Sequence, residues 1–403
     1  MTARPILWPG IAFGLCLAVL AAYQQLKLPP ALPVLLVDYG FDRLLAGSFM
    51  SIYALIGLLL SVRLGRMMQR NLAHYLNTAF VLFVVAAGIM LTWPENGRLF
   101  LLGRAIEGVG FAILAIAGPS ICTASAGDRG LAIAAAAIAT WIPLGNLIPT
   151  ALSAGFGDAL GWRGLWWFGL AATAAMALWT GKWRGHAAVA VPATDGANAA
   201  PASGQPQNPA QSAQWRAMRL SALLFTLWSI QMFAYFTWVP AYLVEAHGVT
   251  AREAATLFLV PIIILTAFNL IAAPLLRRGI PVALLLGGSA VAQAVIWVAI
   301  PHSSDAVAGV LALVLYAVAA GLIPTCLFAT PGTIFGVRQS TSRAFGVLMA
   351  GRNLGVLIGP VLTGVLVDAT DDWALVARIF GAVSLSVGVG GFVLHRQLRR
   401  LPS

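Results

Sequence analysis

Apolar runs recur along the whole chain, each about as long as a helix that crosses a lipid bilayer. Of the 403 residues, 60% are hydrophobic and 9% are charged. Soluble domains carry about 25% charged residues, so one water-soluble core could not hide this much apolar surface. A crossing helix needs about 20 apolar residues, and lipid forces it to satisfy its own backbone hydrogen bonds. The sequence therefore predicts an all-α membrane protein.

Twelve such runs can be counted, in two groups of six. They predict two pseudo-symmetric six-helix bundles, at residues 1–183 and 216–403. The stretch between them, 184–215, is rich in Ala, Pro, Gln and Gly and predicts a flexible cytoplasmic linker. Features recur in order in both groups, such as Gln24 with Gln231 and Pro149 with Pro360. The predicted spans are 9–37, 44–62, 72–93, 99–124, 131–155, 164–182, 218–244, 253–276, 280–301, 306–330, 343–367 and 373–394.

The basic residues are distributed unevenly between the two sides of these spans. With the N-terminus in the cytoplasm, and residues near a span end counted with the adjoining segment, sixteen Lys and Arg fall on the cytoplasmic side, five on the outer side and three deep inside spans. This bias predicts a multi-pass protein of the cell inner (plasma) membrane with both termini cytoplasmic. It also accounts for the net charge of +11 without a nucleic-acid partner. We expect a monomer in the lipid bilayer.

No metal, nucleotide or nucleophile motif is evident in the sequence. We therefore predict no cofactor, no metal site and no enzymatic reaction. The three cysteines lie inside apolar runs and are predicted to be buried as small hydrophobic residues.

Two motifs connect the chain to a known family. The segment after the second span reads Val62-Arg63-Leu64-Gly65-Arg66, and the fourth span contains Gly103-Arg104-Ala105-Ile106-Glu107-Gly108. With the twelve-span pattern, they resemble the signature loop and the Arg-x-x-x-Gly motif of the major facilitator superfamily. Val62 stands where the signature has Asp, so the charge contact that usually latches this loop is in doubt. The resemblance implies a carrier whose two halves surround a central cavity, and leaves open a cyanate- or nitroimidazole-type branch.

Four ionisable residues lie deep in predicted spans: Lys27, Arg104, Glu107 and Arg352. Such a residue costs about 2.5–3.5 kcal/mol on insertion scales, so each needs a reason. Lys27 shares one helix face with Tyr23 and Gln24, which favours a polar cavity wall that binds substrate. The alternative is that Lys27 extends toward the outer interface.

The remaining deep charges also have two interpretations each. Arg104 and Glu107 are spaced i, i+3, and the resemblance places Arg104 at an arginine associated with proton coupling. Glu107 is then the candidate protonation site, and a structural ion pair is the alternative. Arg352 is a candidate anion contact, or else bonds backbone carbonyls where Gly351, Gly355 and Gly359 pack on another helix.

Span seven adds Gln231 and Tyr235, which lie on one helix face with Trp238. They favour a wall of the substrate cavity, and the alternative for Gln231 is hydrogen bonding between helices. Packing is the preferred interpretation for Trp141 and Tyr316.

The deep charges sum to three cations and one anion. This surplus predicts a secondary active transporter for a small, preferably organic anion, coupled either to proton symport through Glu107 or to exchange with a second anion. Lys27 and Arg352 would clamp the anion, and Gln24, Gln231 and Tyr235 would orient it. One alternative is an exporter of amphipathic drugs or metabolites by proton antiport, although span five lacks the Gly-Pro pair common in drug antiporters. Another is a membrane sensor or assembly factor that transports nothing.

Overall fold

A computed structural model of the protein describes residues 6–68, 71–126, 137–138, 140–183, 209–302, 306–335 and 342–400. These ranges are almost entirely helical, as the composition predicts. The helices are α1 Trp8–Leu26, α2 Leu28–Tyr39, α3 Arg43–Met68, α4 Leu72–Thr92, α5 Gly97–Ser125, α6 Trp141–Trp183, α7 Pro209–His247, α8 Ala251–Arg277, α9 Val282–Ala299, α10 Ala306–Phe335, α11 Ser342–Thr370 and α12 Trp373–Leu398, with a 3-10 turn at Ile300–His302.

Ten segments in the described ranges are long and apolar enough to cross a membrane. Helices α1 and α2 count as one of the ten. Helix α6 is not among them, although it has 43 residues and is interrupted at Gly161, where φ is 55° and ψ is −171°. Because glycine adopts positive φ readily, Gly161 separates two helical arms that the sequence analysis counted as spans five and six.

The first predicted span, 9–37, corresponds to one membrane-crossing segment, Trp8–Tyr39. Its helical hydrogen bonding is interrupted at Lys27, between α1 and α2, although the backbone of Lys27 itself is helical. Pro29 and Pro30 have no N–H, so the carbonyls four residues earlier, of Gln25 and Leu26, lose their usual helical partners.

The described residues form two compact units. The first draws on residues 1–193, 236–262 and 360–368, and the second on 194–235, 263–359 and 369–403. Residues 209–215, predicted as the end of the linker, instead form the first turns of α7, a correction. Residues 184–208 of the predicted linker lie outside the described ranges. The bundle boundaries at 183 and 216 stay a prediction.

Close packing in the first unit depends on small residues. A side chain at Gly14 of α1 would meet the backbone of Gly118 and Cys122 on α5, so the two helices are in near contact. Cys122 and Cys326 are buried, as predicted, but Cys16 is exposed, which corrects that prediction. Cys16 lies two residues from Gly14, roughly 200° around α1 from the face that touches α5.

The predicted glycine stripe on α11 does pack against another helix, α7, in the second unit. A side chain at any of its three positions would collide with a backbone carbonyl of α7. The pairs are Gly351 with Ala222, Gly355 with Thr226, and Gly359 with Ile230.

Replacing Gly355 by Leu is expected to lower the free energy of unfolding by about 1–3 kcal/mol or more, because the added atoms force α7 and α11 apart. Thermal unfolding of purified protein in detergent measures the change. Gly346→Leu is the matched control on the same helix, since a Cβ atom added at Gly346 would have no neighbour within 4 Å among the described residues. Equal melting temperatures for the two variants would contradict the close contact.

Candidate functional site

Arg104 joins three helices of the first unit. It is fully buried in α5, and its guanidinium also lies over the Tyr53 ring at 4.4 Å. The carbonyl of Gln25, which Pro29 leaves without a helical partner, accepts from Arg104 Nη2 at 2.9 Å. Arg104 donates five hydrogen bonds in all, to the carbonyls of Phe49, Gln24 and Gln25, to the Tyr53 hydroxyl and to Glu107.

Lys27, at the break between α1 and α2, is buried with 1% of its surface exposed. Its ammonium Nζ lies 2.6 Å from both Glu107 Oε1 and Gln24 Oε1. The Trp166 ring covers the same ammonium, with its centroid 4.6 Å away. The alternative in which Lys27 extends to the outer interface is therefore wrong.

Glu107 accepts hydrogen bonds from three side chains. Lys27 donates to Oε1, while Tyr53 and Arg104 donate to Oε2 at 2.6 and 2.8 Å. The ion pair between Arg104 and Glu107, which was the structural alternative, is present, and their role in proton coupling stays a prediction. Lys27, Arg104 and Glu107 together are called the charge triad below. With the carboxylate ionised, two cations share one anion, and the triad carries a net charge of +1.

Tyr23 and Gln24 contact α6. The Tyr23 hydroxyl donates to the carbonyl of Leu165 at 2.6 Å. Gln24 Nε2 donates to the Gly169 carbonyl at 3.3 Å and the Thr173 hydroxyl at 3.1 Å. The face that Tyr23 and Gln24 share with Lys27 thus binds a neighbouring helix, while their predicted role toward a substrate stays untested.

A second buried polar group lies in the other unit. Gln231 Oε1 accepts from Trp297 Nε1 at 2.7 Å and from the Tyr316 hydroxyl, and Gln231 Nε2 lies 3.4 Å from Gln293 Oε1. Tyr235 stacks on Tyr316 with centroids 4.0 Å apart. These five residues are called the amide cluster below. Hydrogen bonding between helices, the alternative for Gln231, is confirmed, and binding of substrate by Gln231 and Tyr235 stays a prediction.

Arg352 on α11 differs from the other buried cations. It is 6% exposed, and its guanidinium lies 5.1 Å from the Phe233 ring centroid. Nη1 donates to Asn353 Oδ1 at 3.0 Å, whereas Nη2 has no hydrogen-bond partner among the described residues. Nor does any carboxylate in those residues lie within 4.0 Å of it. The alternative in which it bonds backbone carbonyls at the glycine stripe is not observed there.

Several residues of these groups were not predicted. Tyr53 and Trp166 complete the surroundings of the triad, and Gln293 and Trp297 complete the amide cluster. Gln293 carried a usable signal, because it is the one amide in Val282–Ala299 and Trp297 follows at i+4. Among the described residues, no group of three or more His, Cys, Asp or Glu could hold a metal ion.

Comparison with known proteins assigns the family. The family model described as Major Facilitator Superfamily matches residues 11–342. The chain belongs to the Major Facilitator Superfamily. It is therefore a membrane transporter and not an enzyme, as the motif around Arg104 suggested. No curated protein sequence matches the chain.

Two solved structures share the superfamily fold of this chain. Crystal structures of the nucleoside transporter NupG, a point mutant and the unmutated form, have TM-scores of 0.69 and 0.67. Each is 16% identical in sequence, and each alignment covers 95% of this chain and 99% of NupG. At that identity the likeness shows the fold alone.

Proposed function

We propose that this superfamily member is a secondary active carrier of a small organic anion, working by alternating access. We further propose that it has twelve membrane spans in two six-helix bundles, with α6 contributing spans five and six, and cytoplasmic termini in the inner membrane. The interruption at Gly161 divides α6 into two arms, and these two arms with the ten other spans support a total of twelve.

The main support for an anionic substrate is the uncompensated charge of Arg352. A buried cation is stabilised when it is paired, and one left alone is strongly destabilising. Arg352 has one neutral hydrogen-bond partner, one aromatic neighbour and a free Nη2 among the described residues. Its guanidinium can bind a carboxylate through two parallel N–H···O bonds, which a neutral substrate would not offer.

Proton coupling follows from the charge of the triad. Protonation of Glu107 would raise the net charge of Lys27, Arg104 and Glu107 from +1 to +2. A bound anion would offset this increase, so a proton and an anion favour each other's binding, and the coupling is reciprocal. The charges therefore support symport of a proton with an organic anion, in which Lys27 loses its carboxylate partner when Glu107 is protonated.

Replacing Arg352 by Gln should weaken the binding of organic acids. We expect small carboxylic acids to raise the melting temperature of the wild-type protein in detergent, and the acid concentration needed for a given shift to rise at least about tenfold in Arg352→Gln, since a lost charged hydrogen bond is worth about 1.5–3 kcal/mol. The matched control is Arg378→Gln, because Arg378 is exposed and pairs with Asp372 at the surface.

The same screen tests a neutral substrate class. A nucleoside is the comparison ligand, because NupG, whose two structures share this fold, is a nucleoside transporter. Stabilisation by a nucleoside and by no acid would contradict the proposal. An acid-induced shift that is equal in wild type and Arg352→Gln would remove Arg352 from the site.

A further inference from the structure

Asn146 lies on the first arm of α6, one turn before Thr150. With Ala154 and Asp158 these residues form one i, i+4 stripe. The far end of the stripe is engaged by α8, since Arg252 donates to the Ala154 carbonyl at 3.1 Å and to Asp158 Oδ2 at 2.6 Å. Thr150 directs its hydroxyl to the backbone carbonyl of Asn146 at 2.8 Å. None of these contacts involves the Asn146 side chain.

The carboxamide of Asn146 is buried and unpartnered at both ends. Its exposed fraction is 0%, and neither Nδ2 nor Oδ1 has a hydrogen-bond partner among the described residues. A buried polar group without a partner costs about 1–3 kcal/mol, and such groups are rare in native proteins. By contrast, the buried Gln24 bonds two groups of α6, and the part-buried Asn269 accepts at Oδ1 from Thr325 at 2.6 Å.

Asn146 follows Gly145, which packs directly on Ala22 and Tyr23 of α1. Lys27 of the charge triad is four residues beyond Tyr23, about 6 Å farther along α1. Pro149 has no N–H for the carbonyl of Gly145, so that carbonyl lacks its usual helical donor.

We propose that Asn146 binds the substrate and selects organic anions that also carry a hydrogen-bond donor. Nδ2 donates to a substrate oxygen, and Oδ1 together with the Gly145 carbonyl accepts from a hydroxyl or N–H group. An anion that has no hydrogen-bond donor leaves Oδ1 unpaired. A buried oxygen without a hydrogen bond is unfavourable, so such an anion binds more weakly. This specificity rests on the proposed anion transport, and its test separates the two.

The experiment compares paired acids that differ by one hydroxyl group. Thermal shifts are measured for lactate against propionate and for malate against succinate, on the wild-type protein and on Asn146→Leu, which preserves the shape of the side chain. We expect the hydroxylated acid of each pair to bind at least tenfold more tightly to the wild type and the preference to vanish in Asn146→Leu. Asn146→Ala repeats the test with a smaller side chain if the leucine variant does not fold.

Asn269→Leu is the matched control, because it removes an amide that already has a partner. It should lower the melting temperature without changing the preference for the hydroxylated acid. Wild-type binding of acids without that preference, or an unchanged preference in both Asn146 variants, would overturn the role of Asn146 and leave anion transport standing. A more stable Asn146→Leu with unchanged preference would mean that water alone occupies the position. If no acid binds the wild type, the proposed function itself fails.

Discussion

Replacing Glu107 by Gln is expected to lower the free energy of unfolding by about 3–5 kcal/mol, because Lys27 and Arg104 then remain buried without a counter-charge. Gln keeps the shape of the side chain, so the loss of stability measures the effect of removing the negative charge. Both cations lie within 2.8 Å of the carboxylate, and none of the three is more than 1% exposed. Thermal or denaturant unfolding of purified protein in detergent measures the change.

A second substitution should restore much of this loss. Lys27→Met removes one of the two cations, so the double variant Lys27→Met with Glu107→Gln should be more stable than Glu107→Gln alone. The two residues are in direct contact, and a double-mutant cycle isolates their interaction. Glu245→Gln serves as the control, since Glu245 is 29% exposed and its pair with Arg43 is expected to contribute about 0–1 kcal/mol. A Glu107→Gln protein as stable as the wild type would refute the charge triad.

Replacing Arg104 by Lys should cost almost as much, although the positive charge is retained. Arg104 uses all three guanidinium nitrogens, and its five hydrogen bonds reach α1, α3 and Glu107. A lysine ammonium is a single point with three donors and cannot span those acceptors. Each buried acceptor left unpaired costs about 1–3 kcal/mol, so we expect a total loss of about 2–5 kcal/mol.

Arg98→Lys is the control for this substitution. Arg98 lies on the same helix and its side chain is exposed, so its replacement should leave the unfolding free energy within about 0.5 kcal/mol of the wild type. If Arg104→Lys behaves like Arg98→Lys, the hydrogen-bond network around Arg104 contributes nothing to stability, and Arg104 would have to be assigned a role in transport alone.

Hydropathy and local spacing were sufficient to predict an all-helical membrane fold and to identify ionisable residues that are buried in it. The pair of Arg104 and Glu107 followed from a separation of three residues on one helix. The bond between Lys27 and Glu107 did not, because it joins residues 80 apart in the chain. Hydropathy identifies Lys27 and Glu107 as charged residues that are unfavourable within the membrane. The distance between them depends on how α1 packs on α5.

The amide cluster shows the same limit. Helical periodicity placed Gln231 and Tyr235 on one face, and the structure brings both together with Tyr316. Gln293 and Trp297 come from α9, and their partners could not be chosen without the tertiary arrangement. The loss of helical hydrogen bonds after Lys27 was not predicted for a different reason, since prolines in membrane helices are often accommodated and the sequence alone does not show where the freed carbonyls find donors.

Together these contacts revise the electrostatic argument for an anion. The sequence predicted that Lys27 and Arg352 clamp the anion together. In the structure Lys27 is compensated by Glu107, whereas Arg352 has no carboxylate partner among the described residues. Arg352 is therefore the better candidate for the substrate contact, and the proposed role of Lys27 depends on protonation of Glu107.

Solute counterflow in liposomes tests the central claim, carriage of a small organic anion, most directly. Purified protein is reconstituted into vesicles loaded with an unlabelled organic acid, and the transient uptake of the same acid in labelled form is followed. We expect saturable accumulation by the wild type and by Arg378→Gln, and an uptake rate at least about tenfold lower in a folded Arg352→Gln protein. Counterflow of a neutral nucleoside without any acid, or an undiminished rate in Arg352→Gln, would contradict it.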